Sequence, residues 1–410
     1  MIAPIVVVGG GHGGFHLALA LREAGVQTPV ILVDARDGLP VQRPPLSKAI
    51  LANGDATTRG RAQASLPFRP ADFYARHDIR LRHATVVEID RPCHEVRLAD
   101  GDRIAYSHLV LATGARNRRP DIPGVDLPGV VELRTPEDAL HLTGALDDEV
   151  DVVVVGGGFI GLEVASAAAA RGRRVTVLEA LDRVMSRVVS APISEHFQVL
   201  HAARGVEIRT GAFAAAIHGD HRVAEVELAD GTRVPAGLVV LGIGILPEDR
   251  LARDAGLSVS NGIDVDSTLL TSDPSISAIG DCAQFPLAGV RRRLESVQNA
   301  ADHARTVALR LAGSPEPYCA VPWFWSEQFS SKLQIAGVAS GEEDAVVRLD
   351  GPRGFSVLHL AGGRLTVVES VDRPADHVVA RRLLASGAMV DADRARSAGF
   401  RLTDLLADAE

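Results

Sequence analysis

Two stretches of this 410-residue chain carry the residue types and spacing that hold a dinucleotide. Gly9-x-Gly11-x-x-Gly14 follows the apolar run "IVVV" at Ile5 to Val8 and opens the helical pattern "FHLALALREAG"; the next apolar run, "VILVD", ends in Asp34. Gly156-x-Gly158-x-x-Gly161 repeats the arrangement after "DVVVV", and Glu179 closes its second run, "VTVLE". Glycines permit a tight turn and let backbone N–H groups approach a pyrophosphate. The positive end of the following helix faces that charge, and the acid accepts a hydrogen bond from a ribose hydroxyl. One such motif alone is a weak signal, because an ordinary glycine-rich turn also produces it. Two, each in strand–turn–helix–strand context, point to two dinucleotides, and the usual reason to hold two is to pass a hydride between them. A flavin and a nicotinamide are the natural pair. Glu179 favours NAD over NADP, because a carboxylate repels a 2′-phosphate, and Gly161 in place of Ala leans the same way. Arg173, Arg174 and Arg183, close by in sequence, weaken that preference.

The elements that must position these residues follow from the pattern. Continuous apolar runs are the mark of strands buried on both faces of a parallel sheet. The fold class is therefore α/β, with two Rossmann-like dinucleotide-binding domains. "LVLATGARNR", residues 109 to 118, reads as a strand stopping at Thr113-Gly114, suited to closing the first nucleotide domain. "ISAIGDCAQF", residues 276 to 285, reads as another, ending in Gly280-Asp281, where the carboxylate could accept a ribityl hydroxyl. Each also reads as a plain strand-end turn. Near the C-terminus, "PWFWSEQFSSKLQIAGVAS" and "GFSVLHLAGGRLTVVESV" alternate apolar and polar residues as half-buried antiparallel strands do, and "DHVVARRLLASG" reads as a helix. The loop "LPVQRPPLSKAI" stands out by charge type: of the 43 basic residues, only Lys48 and Lys332 are lysines. Pro44-Pro45 fixes an extended entry and permits a helix start, so "LSKAILA" is expected to run as a short helix stopping at Asn53-Gly54. On sequence alone Lys48 is also readable as an exposed surface lysine.

Length and composition bound the rest. A chain this long implies about two or three domains. A charge of −9 argues against a nucleic-acid or anionic-membrane partner. The three cysteines, Cys93, Cys282 and Cys319, form no C-x-x-C pair, which excludes a dithiol centre and a zinc knuckle and suits a reducing compartment; no metal site is expected. No apolar stretch reaches about 18 residues. The N-terminal run passes straight into glycines without a basic region or cleavage site, so a cytoplasmic protein is expected.

Taken in order, GxGxxG, "PPLSK", "ATG", a second GxGxxG with "GLE", "GIG", "GDCA" and "PWFWSEQ" resemble the FAD-dependent, NADH-linked ferredoxin reductases of the putidaredoxin reductase type, which serve cytochrome P450s and ring-hydroxylating dioxygenases. "RVVSAPISEHFQVLHAARGVEIRTG" (187 to 211) and "VDRPAD" (371 to 376) extend the resemblance over nearly the whole chain. It implies a glutathione-reductase-like architecture. An FAD-binding domain would be built from residues 1–114 and 243–320, an NAD-binding domain would span 115–242, and a small α+β ferredoxin-docking domain would span 321–410. The implied reaction passes a hydride from NADH to FAD, then single electrons to a [2Fe–2S] ferredoxin. The same resemblance puts Gly13 in the first phosphate loop, Asp34 and Ala35 at the FAD adenosine, and Arg43 and Lys48 in the proline loop. Val86 would offer its backbone to the adenine, Arg134 would lie at the FAD site, and Asp281 would bind the ribityl chain. Val297 would turn a helix N-terminal N–H to the flavin pyrimidine end, and Trp325 would wall the flavin near the ferredoxin side. Thr113, Gly114, Gly156, Gly158, Ile160, Gly161, Glu179 and Gly244 complete the cofactor-binding set.

Glu163 reads, on spacing alone, as a solvated helix residue. The resemblance instead makes it a catalytic carboxylate near the nicotinamide carboxamide, able to pair with Lys48. Two departures from the family pattern stand out: Glu327 where "SDQ" is usual, and Glu248 where an Asn follows "GIG" in many members. They put docking geometry and nicotinamide-loop contacts, respectively, in question. The absence of cysteine from "PVQRPP" argues against the disulfide reductases and NADH peroxidases. For an acidic ferredoxin, the candidate docking residues are Arg291, Arg292, Arg293, Arg305, Arg310 and Lys332, though a solvated arginine-rich surface accounts for them as well. The competing function is an NADH-sensing flavoprotein of apoptosis-inducing-factor type without rapid turnover. An NADH oxidase or nitrite-reductase component ranks last, for want of a redox cysteine or a cluster-binding set.

Overall fold

The apolar runs become the central strands of two similar sheets. The computed structural model describes residues 3–52, 56–148, 150–397 and 399–407. Ile5–Val8 pairs in parallel with Val30–Asp34 on one side and His108–Leu111 on the other. Ile79–His83 and Ile276–Ala278 complete a five-stranded sheet. The helices His12–Glu23 and Val297–Leu311 accompany it, and their apolar faces join one core with Phe15, Leu17, Leu21, Leu32, Leu109 and Phe285. Each such side chain, fully buried, contributes about 1.5–3 kcal/mol of transfer free energy.

Val152–Val155 plays the same part in the second sheet. It lies between Val175–Glu179 and Leu238–Leu241, with Val206–Thr210 and Val130–Val131 at the edges, all parallel. In both sheets the strand before the fingerprint lies centrally, and the strand carrying the acid lies directly beside it. This is the doubly wound order that leaves the crevice at the strands' carboxyl ends. The C-terminal segment forms a separate five-stranded antiparallel sheet, ordered Trp323–Gln328, Ser331–Gly337, Arg364–Val371, Phe355–Ala361, Ala345–Asp350, with the helix Pro374–Ser386 packed on it.

The chain divides into two units. One comprises Met1–Arg43, Ala64–Arg116 and Ile245–Ala320; the other comprises Pro44–Gln63, Asn117–Gly244 and Val321–Glu410. The proline loop thus groups with the second fingerprint and the C-terminal sheet.

That loop corrects one expectation. Pro44–Leu46 is a single 3-10 turn, and Ser47 to Leu51 continue as turns, not as a helix. The N–H groups of Lys48 and Ile50 both bond to the carbonyl of Pro45, spacings of three and five residues that replace the four-residue spacing of an α-helical ladder. Leu46, Ile50 and Leu51 are buried, and Arg171 donates to the carbonyls of Leu51 and Ala52. Tertiary anchors therefore hold Lys48 where local helix was expected. The expected stop at Asn53-Gly54 lies outside the described residues.

Within the second unit a buried acid ties the C-terminal sheet to a helix. Glu369, 1% exposed, accepts the backbone N–H of Ser190 at 2.8 Å, the Ser190 hydroxyl, and His359 Nε2 at 2.9 Å. Ser190 is the N-cap residue of Ala191–Ala202, so the carboxylate also meets the positive end of that helix. Glu369→Ala strands these donors in the interior and is expected to cost about 2–4 kcal/mol, read as a lowered urea midpoint.

Candidate functional site

In the first unit the fingerprint turn is built by mutual exclusion. Gly9 adopts φ +111°, and a Cβ there would collide with the carbonyl of Ala112 at the end of the neighbouring strand. A Cβ on Gly14 would collide with the Gly9 carbonyl. Gly11 differs: a Cβ there would meet nothing nearer than Arg43 Nη1, at 3.6 Å. Gly11 is the N-cap of His12–Glu23 and supplies no side chain, so the first-turn N–H groups, including that of Gly13, stay available for a ligand. An open cradle beside a guanidinium and a helix N-terminus fits a pyrophosphate. Asp34 ends its strand and accepts the Arg36 N–H at 3.2 Å, with Ala35 between them.

Three further segments border this cradle. Thr113 Oγ1 donates to the Glu248 carbonyl at 2.6 Å, and the Glu248 N–H donates to the Gly114 carbonyl at 2.9 Å. The Glu248 backbone thus locks the "ATG" turn, and its carboxylate lies 3.5 Å from Arg116. Asp281 lies in the short 3-10 turn Gly280–Cys282, and its carbonyl accepts Arg293 Nη1 at 3.2 Å. The Gly280 N–H donates to His303 Nδ1 at 3.2 Å. Complete burial lowers the His303 pKa to about 3, so the ring is neutral and accepts that bond through an unprotonated Nδ1. Val297 begins Val297–Leu311, whose N-cap Ser296 accepts the Asn299 N–H, and Val86 is buried at the start of Val86–Asp90.

In the second unit the same solution recurs. Gly156 has φ +109° and abuts the Gly242 carbonyl, Gly161 abuts the Gly156 carbonyl, and a Cβ on Gly158 would meet nothing nearer than Gly242 O at 3.9 Å. Glu179 is anchored twice: Oε2 accepts the Gly157 N–H at 2.8 Å and Oε1 accepts the Leu181 N–H at 2.9 Å. Ile160 is exposed on the first turn of Phe159–Ala170, and Gly244, at φ +101°, follows Leu238–Leu241. Arg134 precedes the capping box that Thr135 and Asp138 make for Pro136–Asp147.

Residue-type reasoning missed the middle glycines. A Cβ on Gly10 would collide with the Asp34 carboxylate, and one on Gly157 would press on Glu179. The signal was present: the variable position of G-x-G is glycine in both copies. His12 was missed too. It opens the first helix with its ring edge-on to Phe68 at 4.9 Å, and burial, with His16 and Arg43 nearby, lowers its pKa to about 3.

Glu163 is 2% exposed, not solvated. Its helix, "FIGLEVASAAAA", is apolar all round and buried, which carries the carboxylate inside. Oε2 accepts Lys48 Nζ at 2.9 Å and the Ser47 hydroxyl; Oε1 accepts Ser326 Oγ at 2.7 Å and the Glu327 N–H at 3.3 Å. Lys48 Nζ also lies 6.0 Å from the centre of the Trp325 ring. Lys48, Glu163 and Trp325 therefore come together.

The arginine cluster does not form a bare cationic patch. Arg291 pairs with Asp264, Arg305 with Asp302 and Lys332 with Glu327. Arg293, 9% exposed by side chain, pairs with Glu295 and braces the Asp281 turn. Arg310 turns inward to Ser277, and burial lowers its pKa.

Residues 3–304 match the family model for pyridine nucleotide-disulphide oxidoreductases, and residues 323–406 match that for the reductase C-terminal domain. The chain belongs to the pyridine nucleotide-disulphide oxidoreductase family. It is 45% identical to rhodocoxin reductase of Rhodococcus erythropolis over 403 residues, covering 97% of this chain and 93% of that one. Among solved structures it is similar to the ferredoxin reductase for the CYP199A2 system from Rhodopseudomonas palustris, with 44% identity, a TM-score of 0.93, and 98% and 99% of the two chains covered. It is also similar to the reductase of the covalent putidaredoxin reductase–putidaredoxin complex, with 36% identity, a TM-score of 0.94, and 99% of each chain covered. Within this family of dinucleotide oxidoreductases, the chain's cysteines are all free, with Cys282 buried and Cys93 and Cys319 exposed.

The paired glycines separate folding from binding. Gly161→Ala is expected to cost about 2 kcal/mol in the urea midpoint, because its Cβ strikes a fixed carbonyl. Gly158→Ala, with open space above it, should cost less, about 0.5–1 kcal/mol as a poorer N-cap, and chiefly weaken NADH binding, measured by titration calorimetry.

Proposed function

We propose that this chain is an FAD-dependent NADH:ferredoxin reductase that feeds a cytochrome P450 or another oxygenase from the cytoplasm. The observation that carries this reading is the presence of two complete dinucleotide cradles, each with an open second glycine and its own acid, in one chain. The relatives named above, all reductases, support it over the NADH-sensing alternative. Among the described residues no helix is long and apolar enough to cross a membrane. When bound, FAD takes a hydride from NADH and releases single electrons to a [2Fe–2S] ferredoxin.

The chain's residues then take the following parts. Gly9, Gly11, Gly13, Gly14 and Arg43 hold the FAD pyrophosphate, Asp34 and Ala35 its adenosine, and Val86 its adenine. Thr113, Gly114, Arg134, Asp281 and Val297 hold the rest of FAD. Gly156, Gly158, Ile160, Gly161, Glu179 and Gly244 hold NADH. Residues 1–114 and 243–320 serve as the FAD domain, 115–242 as the NAD domain and 321–410 as the docking domain, with Trp325 as the flavin's wall. Lys48 is a catalytic residue: its ammonium donates to the flavin and stabilises the charge that builds on reduction. A carboxylate offers about four acceptor sites, and those of Glu163 are filled by Ser47, Lys48, Ser326 and Glu327. Glu163 thus positions Lys48, beside the catalytic role near the nicotinamide carboxamide that the family resemblance implies for it. Docking falls to Arg291, Arg292, Arg305 and Lys332, with Arg293 and Arg310 left to internal roles.

Anaerobic titration with NADH and with NADPH, followed through the flavin bands, tests the reading. Bleaching by NADH at far lower concentration than by NADPH is expected. Protein without flavin bands would sink the scheme, and preference for NADPH would sink the role of Glu179. Lys48→Arg should retain FAD but slow flavin reduction roughly tenfold or more, the equivalent of one charge-assisted hydrogen bond of about 1.5 kcal/mol. Ferredoxin reduction should slow as salt rises, and a flat salt dependence would remove the arginines from docking.

A further inference from the structure

The "PWFWSEQ" segment supplies Trp325 to the proposed site and two donors to Glu163, yet its last residue, Gln328, has no part in the reaction just described. The strand Trp323–Gln328 alternates: Ser326 and Gln328 are fully buried, while the Glu327 side chain lies on the other face beside its cross-strand neighbour Lys332 at 3.1 Å. A buried Gln must account for its amide, and here the account leads to Glu163. Ser326 Oγ gives its one proton to Glu163 Oε1 at 2.7 Å. Toward any other partner that hydroxyl can only accept, so the group facing it must be the amide nitrogen of Gln328, at 3.3 Å. The same amide nitrogen reaches Met185 Sδ at 3.7 Å. The amide carbonyl is thereby turned to His201 Nε2, at 2.9 Å, and a carbonyl there demands an N–H.

His201 lies in the helix Ala191–Ala202, has no exposed surface, and packs edge-on against Phe329 at 5.0 Å. Its other nitrogen, Nδ1, has no hydrogen-bond partner among the described residues. Burial lowers its pKa, which leaves the ring neutral with its single proton on Nε2.

We propose that His201, Gln328 and Ser326 form a one-directional hydrogen-bond chain that positions the Lys48–Glu163 pair for flavin reduction. Every donor in the chain points the same way: His201 Nε2–H to the Gln328 carbonyl, the Gln328 amide to Ser326 Oγ, and Ser326 O–H to Glu163 Oε1. Each bond polarises the next, so the negative end of the chain is reinforced where Glu163 carries its charge. With Oε1 pinned from this side, Oε2 is left in one orientation, the one that Ser47 and Lys48 share. The chain explains why Glu stands at 327 without consequence for the site: only that residue's backbone N–H enters the network, at 3.3 Å, while its side chain faces away.

This inference rests on the assignment of Lys48 to flavin reduction, and the test separates the two. Ser326→Ala is expected to slow NADH-driven bleaching about tenfold with FAD content unchanged, and Ser326→Thr to restore most of the rate. In a Glu163→Gln background the same Ser326→Ala change should add less than about twofold, because the acid through which it acts is gone. Equal slowing in both backgrounds overturns the chain. A Glu163→Gln protein that reduces its flavin at the wild-type rate overturns the Lys48–Glu163 assignment, and the chain with it. Gln328→Met, similar in volume and without an amide, should slow bleaching in the same direction; an unchanged rate overturns the proposal. A readout independent of catalysis is the imidazole 15N spectrum of His201, identified by its change in Gln328→Met. The Nε2–H tautomer is expected, and the Nδ1–H tautomer would overturn the assignment.

Discussion

A charged carboxylate in an apolar helix is the constraint around which the second unit is arranged. Removing Glu163 from water costs several kcal/mol unless its lone pairs are met. The donors that meet them come from two separate parts of the chain, Ser47 and Lys48 from the proline loop and Ser326 and the Glu327 N–H from the C-terminal sheet, while the acid itself stands on a third, Phe159–Ala170. None of these segments can shift without uncovering the charge. The requirement therefore fixes Lys48 far more tightly than a turn of four or five residues could do alone.

The two fingerprints show the same economy in the backbone. In each, the first glycine abuts the carbonyl end of the neighbouring strand, the third abuts the carbonyl of the first, and the middle one abuts the acid from the next strand. Only the second glycine faces open space. Three positions are set by packing and one is left open, and the strand acid joins the packing: Glu179 clamps the turn through the Gly157 N–H. The repetition of this arrangement in both units shows the geometry of the turn dictating the residue types.

Much of this was legible because it depends on periodicity and on glycine. The paired sheets, their central strands and the antiparallel C-terminal strands follow from apolar runs and alternation. The proline loop was misread because a helical pattern was inferred from seven residues whose conformation is set from outside, by the Pro45 carbonyl and by Arg171. Glu163 was misplaced in solvent by spacing, although the helix that carries it has no polar face, and a lone acid in such a helix has nowhere to go but inward. The arginines could not be sorted by sequence at all. Arg291 and Arg293 are two residues apart, yet one lies on the surface and the other braces the Asp281 turn. That difference lies in tertiary partners that no local pattern records.

The choice of lysine in a chain that otherwise uses arginine follows from the same geometry. Ser47 and Lys48 share one oxygen of Glu163, and Trp325 stands 6.0 Å from the ammonium. A guanidinium prefers to engage both oxygens of a carboxylate in a planar fork. Here the second oxygen is already taken by Ser326 and the Glu327 N–H, so the fork would have to displace them or bond at one prong and leave its remaining donors buried. A compact ammonium makes one strong contact to Oε2 and keeps its other protons for a ligand. Saturation of Glu163 from the sheet side thus selects the residue type on the loop side, which links the inner alternation of "WSEQ" to the single lysine of "PPLSK".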